Sequence, residues 1–210
     1  MWTPEASLKT NTREAEIAQL RMRYGAPLRR RYVLDVSEES YGYRRQSKRS
    51  AEVVPFIRRA NGNLLLHTKD FYPKGAFRVP SGGIYKREAL LDAVHREAFE
   101  ETGLQVAVER FLAVVQFDFC WQERTVSLSS YPFLLREGGG RLEVQDEHER
   151  ITAFREVAPC GLESVASHLE NLPPVWREWG EFRAIPHRLA AMVLRQESGS
   201  EHMAELPGCV

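Results

Sequence analysis

Between Arg96 and Leu104 the chain reads Arg-Glu-Ala-Phe-Glu-Glu-Thr-Gly-Leu, which places Glu97, Glu100 and Glu101 within five consecutive positions. On a helix of about 3.6 residues per turn, offsets of three and four put these carboxylates on one arc. Like charges so spaced cost a helix about 0.2–0.5 kcal/mol per pair. Arg96, four positions before Glu100, relieves part of that cost. A solvated charged face is the plain reading of such an arc. The preceding Pro80-Ser81-Gly82-Gly83-Ile84 favours a different one, because glycines let the backbone run close to a ligand and leave a carbonyl beside the carboxylates. Oxygen-only clusters suit hard divalent ions, Mg²⁺ or Mn²⁺, which in turn bind phosphate oxygens. The chemistry implied is metal-assisted reaction of a phosphorylated substrate.

Such a site needs elements to hold it. A helix is expected from Glu88 to Thr102, stopped by Gly103, with Leu91, Val94 and Ala98 as its core stripe. Upstream, Thr12 caps an expected helix over 12–24, and Arg30–Val36 reads as a strand followed by an arginine-rich loop. A hairpin is expected across Asn61-Gly62, whose positive backbone angles suit a tight turn, and a short strand near Ala76–Val79. Long β-rich runs at 105–119 and 124–136 end at Glu137-Gly-Gly-Gly-Arg141, and 151–157 reads as a last strand. Residues 162–172 and 176–196 look helical, with Pro186 breaking or kinking the second. The aromatic stretch Trp176 to His187 reads as a helix clamped to the core. The order predicts an α/β fold, a mixed sheet sandwiched by helices. Its expected divisions are an N-terminal extension (1–49), a core (50–160), C-terminal helices (161–197) and a loose tail (198–210).

Composition sets bounds on partners. Hydrophobic residues make up 43% and charged residues 28%, enough for a buried core, and formal net charge is zero. That balance argues against a protein built to grip nucleic acid, although Arg29, Arg30, Arg31, Arg44, Arg45, Lys48, Arg49, Arg58 and Arg59 make the first third basic. The three cysteines, Cys120, Cys160 and Cys209, are scattered and form no zinc or disulfide pattern. No leader or membrane-spanning run is evident, so the cytoplasm is the expected compartment and no membrane partner is expected.

The spacing Gly82, Glu88, Arg96-Glu97, Glu100-Glu101 and Gly103-Leu104 resembles the signature of the Nudix hydrolases, G-x5-E-x7-R-E-U-x-E-E-x-G-U. Each invariant position is filled; Ala98 is smaller than the usual bulky aliphatic, and Ser81 stands in the common Pro-Gly-Gly lead-in. The resemblance covers residues 82–104 and says nothing of 1–49 or 160–210. It implies an α/β/α sandwich and cleavage, by metal-activated water, of a nucleoside diphosphate linked to another group. Glu97, Glu100 and Glu101 would be metal ligands with the Gly82 carbonyl, while Arg96 would orient them and Glu88 would support the junction. The general base would come from the loop before the last strand, with Glu147 the first choice and Glu149 the second. A nucleotide-type small molecule is the expected substrate. For substrate contacts, Arg78 is a candidate for phosphate, and Phe119 and Trp121 for stacking on a base, against the plainer reading of Phe117, Phe119 and Trp121 as a strand's core face. Two alternatives stand beside the hydrolase: a nucleotide-sensing regulator on the same fold, and an isoprenoid-diphosphate isomerase using a pocket cysteine such as Cys120. The N-terminal segment would serve homodimerisation, which is common in the family.

Overall fold

Two neighbouring strands, β2 (Ala51–Arg58) and β3 (Leu64–Lys69), are apolar on both faces. Val53, Ile57 and Leu65 belong to one core cluster, while Val54, Phe56, Leu64 and Leu66 belong to another on the opposite side. A strand buried on both faces must be covered on both, and helices supply the cover. On one face lie α1 (Pro4–Tyr24), through Ile17 and Leu20, and α3 (Leu90–Thr102), through Leu90, Ala93, Val94 and Ala98. Against the other pack α4 (Leu162–Glu170) and α5 (Arg177–Glu201). The computed structural model describes residues 4–47 and 49–201, with side chains from 12 to 196; Lys48, Cys209 and the expected tail past 201 lie outside the described residues.

Six further strands complete the sheet: β1 (Leu28–Asp35), β4 (Gly82–Gly83), β5 (Leu104–Phe111), β6 (Ala113–Trp121), β7 (Arg124–Gly140) and β8 (Ile151–Val157). Their order is β1-β6-β7-β2-β3-β8, with β4 paired to β2 and β5 to β7. β1 runs parallel to β6 and β2 parallel to β7, and the other pairs are antiparallel. The mixed sheet between helical layers is the fold expected from the sequence. Among the described residues no helix is long and apolar enough to cross a membrane.

Several local expectations change. The supposed loop after β1 is a helix, α2 (Glu38–Ser47), because Tyr41 is buried against Trp121 and Arg44 lies over Phe119 and Phe182. Its ends carry the matching charges, Glu38 and Glu39 first and Arg44 and Arg45 last, a signal present in the sequence. In the hairpin only Gly62 takes a positive φ (86°), and the Asn61 side chain instead accepts from Asn63 N at 3.0 Å. β7 continues through its glycines to Gly140, and α5 continues through Pro186. The strand expected near Ala76–Val79 is a single bridge between Arg78 and His67.

Helix α1 starts eight residues before its expected cap and does a second job. The Glu16 carboxylate accepts from Leu90 N at 2.5 Å, and Arg13 donates to the Glu88 carbonyl at 3.1 Å. A carboxylate there satisfies a backbone donor that no residue of α3 itself caps and complements the helix dipole. Replacing Glu16 with Ala is expected to cost about 1 kcal/mol in urea unfolding; an unchanged midpoint would show that Leu90 N has another acceptor.

Candidate active site

Helix α3 brings the acidic arc against the sheet. Its apolar side is buried as the spacing predicted, Gly103 ends it at φ 69°, and the Gly103 N–H closes on Phe99 O at 2.7 Å. Glu97 and Glu101 are themselves buried, Glu101 completely, while Glu100 sits at the rim. Arg96 gathers the acids. Its Nε and Nη2 bind the two Glu88 oxygens at 2.7 and 2.9 Å, Nη1 reaches Glu97 Oε1 at 2.6 Å and Glu100 Oε2 at 2.9 Å, and Nη2 also binds the Gly83 carbonyl at 2.8 Å. Only a planar guanidinium has donors enough, in fixed directions, for this fan. Those hydrogen bonds hold the Glu88 carboxyl below its ordinary range.

The glycine loop is shaped to the same carboxylates. A Cβ on Gly82 would stand 1.8 Å from the Glu97 carboxyl carbon, so the position admits no side chain. Ser81 N donates to Glu101 Oε2 at 3.0 Å. From β3, whose period of two points His67 and Lys69 at α3, the Lys69 Nζ approaches Glu101 Oε1 to 3.1 Å and His67 Nε2 approaches Oε2 to 3.8 Å. Lys69 also pairs with Glu149. Burial pushes the Glu101 carboxyl up to about 7 despite Arg78 and Lys69, and burial raises Glu97 as well. For Glu149 burial is again the largest influence and acts upward, but Lys69 outweighs it and the carboxyl lies below its ordinary value.

Of the two loop acids expected as candidates, the structure brings Glu149, the second choice, to Lys69 beside Glu101, and leaves Glu147, the first, exposed. The loop is tied to α3 by Gln145 N and Asp146 N, which donate to the Glu100 carbonyl at 3.0 and 3.2 Å. A short 3₁₀ turn, Glu147–Glu149, then turns Glu149 inward and leaves the Glu147 side chain exposed. Two of the expected substrate contacts, Arg78 and Phe119, lie buried. Arg78 is buried, and its donors go to Tyr72 Oη, the Val79 carbonyl and Ser81 Oγ at 2.7–2.9 Å, so it braces the loop from inside. Phe119 is core, packed edge-on against Phe182 and covered by Arg44. Trp121 is half-buried at the far end of β6, and Cys120 faces Thr125 there, away from the carboxylates.

Sequence reasoning missed the supports from α5. His187, fully buried, accepts from Val79 N through Nε2 at 3.2 Å while its Nδ1–H donates to the Arg183 carbonyl at 2.8 Å. That tautomer is neutral, in keeping with burial pushing its pKa down to about 4. Arg183 pairs with the buried Glu52 at 3.0 Å, and Ser130 Oγ donates to the same carboxylate. Arg183 and His187 sit four apart on one helix face, the only trace of this role in the sequence.

The donor set suits a divalent cation in chemistry: Glu97, Glu100 and Glu101 lie on one arc of α3, Lys69 brings Glu149 of the 147–149 turn beside Glu101, and Gly82 lacks a Cβ where the Glu97 carboxyl stands. Among the described residues, no three His, Cys, Asp or Glu side chains stand at metal-holding spacing. Arg96 and Lys69 set the spacing instead by drawing the acids toward themselves.

A carboxyl with a raised folded-state pKa contributes stability that is complete below its unfolded value and lost as pH rises through the folded value. In chelating buffer, Glu101→Gln is therefore expected to gain on the parent as pH climbs from 4.5 past 7, by up to about 3 kcal/mol. His67 and His187, buried and neutral, act with the opposite sign at lower pH, so the difference between the two proteins is the quantity to measure. A difference independent of pH would show that Glu101 stays ionised.

In comparison with known proteins, a family model matches across the site. Residues 47–178, more than half of the chain, match the NUDIX domain family. The low-salt glycan biosynthesis protein Agl8 of Haloferax volcanii is 36% identical over 64 residues, so the chain spans 41% of that relative, using 30% of its own length. Among solved structures, an ADP-ribose pyrophosphatase of Streptococcus suis 89-1591 shares 19% identity, with 69% of this chain and 91% of that one covered and a TM-score of 0.43. A UDP-X diphosphatase shares 19%, covering 77% and 72%, with a TM-score of 0.47. A MutT NUDIX hydrolase from Burkholderia pseudomallei shares 24%, covering 67% and 96%, with a TM-score of 0.44. Superpositions this loose carry no argument about substrate. With the domain match extending across β2, the glycine loop, α3 and the Glu149 turn, the chain belongs to the Nudix hydrolase family.

Proposed function

We propose that this protein is a divalent-cation-dependent pyrophosphohydrolase that cleaves the phosphoanhydride of a nucleoside diphosphate joined to a second group, such as a sugar, a ribose or a further phosphate. The observation that carries this reading is the Gly82–Glu97 contact, where backbone and carboxylate meet with no room for a side chain. A packing role would not need that approach; an oxygen site for a cation does. Glu97, Glu100 and Glu101, with the Gly82 carbonyl, would hold Mg²⁺ or Mn²⁺. Such an ion, when bound, neutralises charge on the phosphates and lowers the pKa of an attacking water.

The protein's own groups then have distinct tasks. Arg96 keeps Glu97 and Glu100 turned toward the loop, and Glu88 keeps Arg96 in place. Glu149, ionised through Lys69, takes the proton from the attacking water. Lys69 holds Glu149 and Glu101 side by side. Cys120 lies outside the carboxylate site, which removes the feature that an isomerase reading relied on.

The test is product analysis with Mg²⁺ or Mn²⁺ on nucleotide sugars, ADP-ribose, nucleoside triphosphates and dinucleotides. Cleavage between phosphates of at least one class is expected. Glu101→Gln should lower kcat at least a hundredfold, Glu149→Gln by about 10²–10⁴-fold, and Glu147→Gln less than twofold. No cleavage across the panel, or full activity in Glu101→Gln, would overturn the reading.

A further inference from the structure

A cavity of about 380 Å³ opens between α2 and the end of the β6–β7 hairpin. It is lined by Glu38, Tyr41, Arg45 and Gln46 on one side and Trp121 and Arg124 on the other, with Gly42 in its helical wall. The α2 wall, Glu38 to Gln46, precedes the residues that match the NUDIX domain, while Trp121 and Arg124 lie within them. The volume falls in the range of small-ligand pockets, about 300–1,000 Å³.

Four features of the walls agree on one ligand chemistry. Tyr41 and Trp121 meet with ring centroids 5.8 Å apart at 38°, too close to admit a ring between them, so they form an aromatic corner against which a flat ring can lie. Arg124 stands 5.4 Å from the Trp121 centroid, and neither it nor Arg45 has an ion-pair partner among the described residues. Two unpaired guanidiniums beside an aromatic corner favour an anion attached to a ring, since each donates in a bidentate fork. Glu38 and Gln46 supply an acceptor and an amide at the rim. Finally, Gly42 sits inside a helix, where it costs roughly 1 kcal/mol relative to Ala, yet a Cβ there would meet nothing within 4 Å. No packing contact explains that glycine, and the space over it is open.

The cavity is separate from the carboxylates. Trp121 lies five residues beyond Gln116, which pairs with Ser129, which pairs with Ala51 beside the β2–β4 contact. At about 3.4 Å per residue that is roughly 17 Å along the sheet. We propose that this cavity is a nucleotide-binding site distinct from the carboxylate cluster, with the base against Tyr41 and Trp121 and the phosphate on Arg45 and Arg124. Its occupant is either the distal end of an extended substrate or a second nucleotide, and the chemistry recognised is the same.

Calorimetric titration with AMP, GMP, CMP and UMP in chelating buffer tests the site without reference to hydrolysis. At least one mononucleotide should bind the full chain. Arg45→Ala with Arg124→Ala should weaken it tenfold or more, Gly42→Leu should abolish it while raising the unfolding temperature, and Glu97→Gln should leave it unchanged. No binding to the parent protein overturns the proposal, as does binding that survives Gly42→Leu and is lost in Glu97→Gln, which would place the nucleotide at the carboxylates. Competition with a cleaved substrate would identify the cavity as the seat of that substrate's distal end; lack of competition would identify a second nucleotide. A protein that binds nucleotides here and cleaves none would leave this site standing and the hydrolase reading refuted.

Discussion

Mutual repulsion among carboxylates crowded on one helix is the constraint around which this structure is arranged. Exposed, such pairs would cost little, but Glu97 and Glu101 are buried, where water no longer screens them. Arg96 meets the demand with five hydrogen bonds, and Lys69 meets it from the neighbouring strand. These cations explain why the acids can be held together in a folded chain without collapsing the helix. They also explain why the cluster is spread to a spacing that suits no metal shell among the described residues. Breaking one partner of such a buried set leaves an uncompensated charge, so the two cations belong to the site as much as the acids do.

The glycine loop that faces this cluster is fixed from several directions. β4 pairs its two glycines with Glu52 and Val53 of β2. His187 on α5 takes Val79 N, Arg78 binds across the loop from within, and Arg183 holds Glu52 on the far face of the sheet. Meanwhile α1 reaches over to the start of α3 through Glu16 and Arg13. Segments at both ends of the chain, outside the family match, thus support the elements that carry the chemistry. Holding a loop and a helix in fixed register depends on this kind of support, because reacting groups displaced by an ångström lose most of their effect.

Much of the site was legible because it is local. Glu88, Arg96, Glu97, Glu100, Glu101 and Gly82 lie in one stretch whose helical period and glycine lead-in constrain one another. The choice between Glu147 and Glu149 was not legible, since both lie in a polar loop. It was decided by a 3₁₀ turn and by Lys69, far away in sequence. Phe119 and Trp121 share a strand face, yet one is covered by α2 and α5 while the other borders open space. Alternation gives the face of a strand; it does not say what lies on it.

Periodicity, caps and turn residues, all local, thus determined the mixed α/β architecture, the acidic helix and its stop at Gly103 from the sequence alone. Tertiary structure decided that an arginine-rich stretch with matching end charges would become α2, by burying Tyr41 and Arg44 against a distant strand. It also decided which loop carboxylate enters the site and that His187 would lock the glycine loop. The physical reason is common to all three. Each outcome is set by contacts between residues separated by tens of positions, whose closeness is fixed by the whole sheet and by no local pattern.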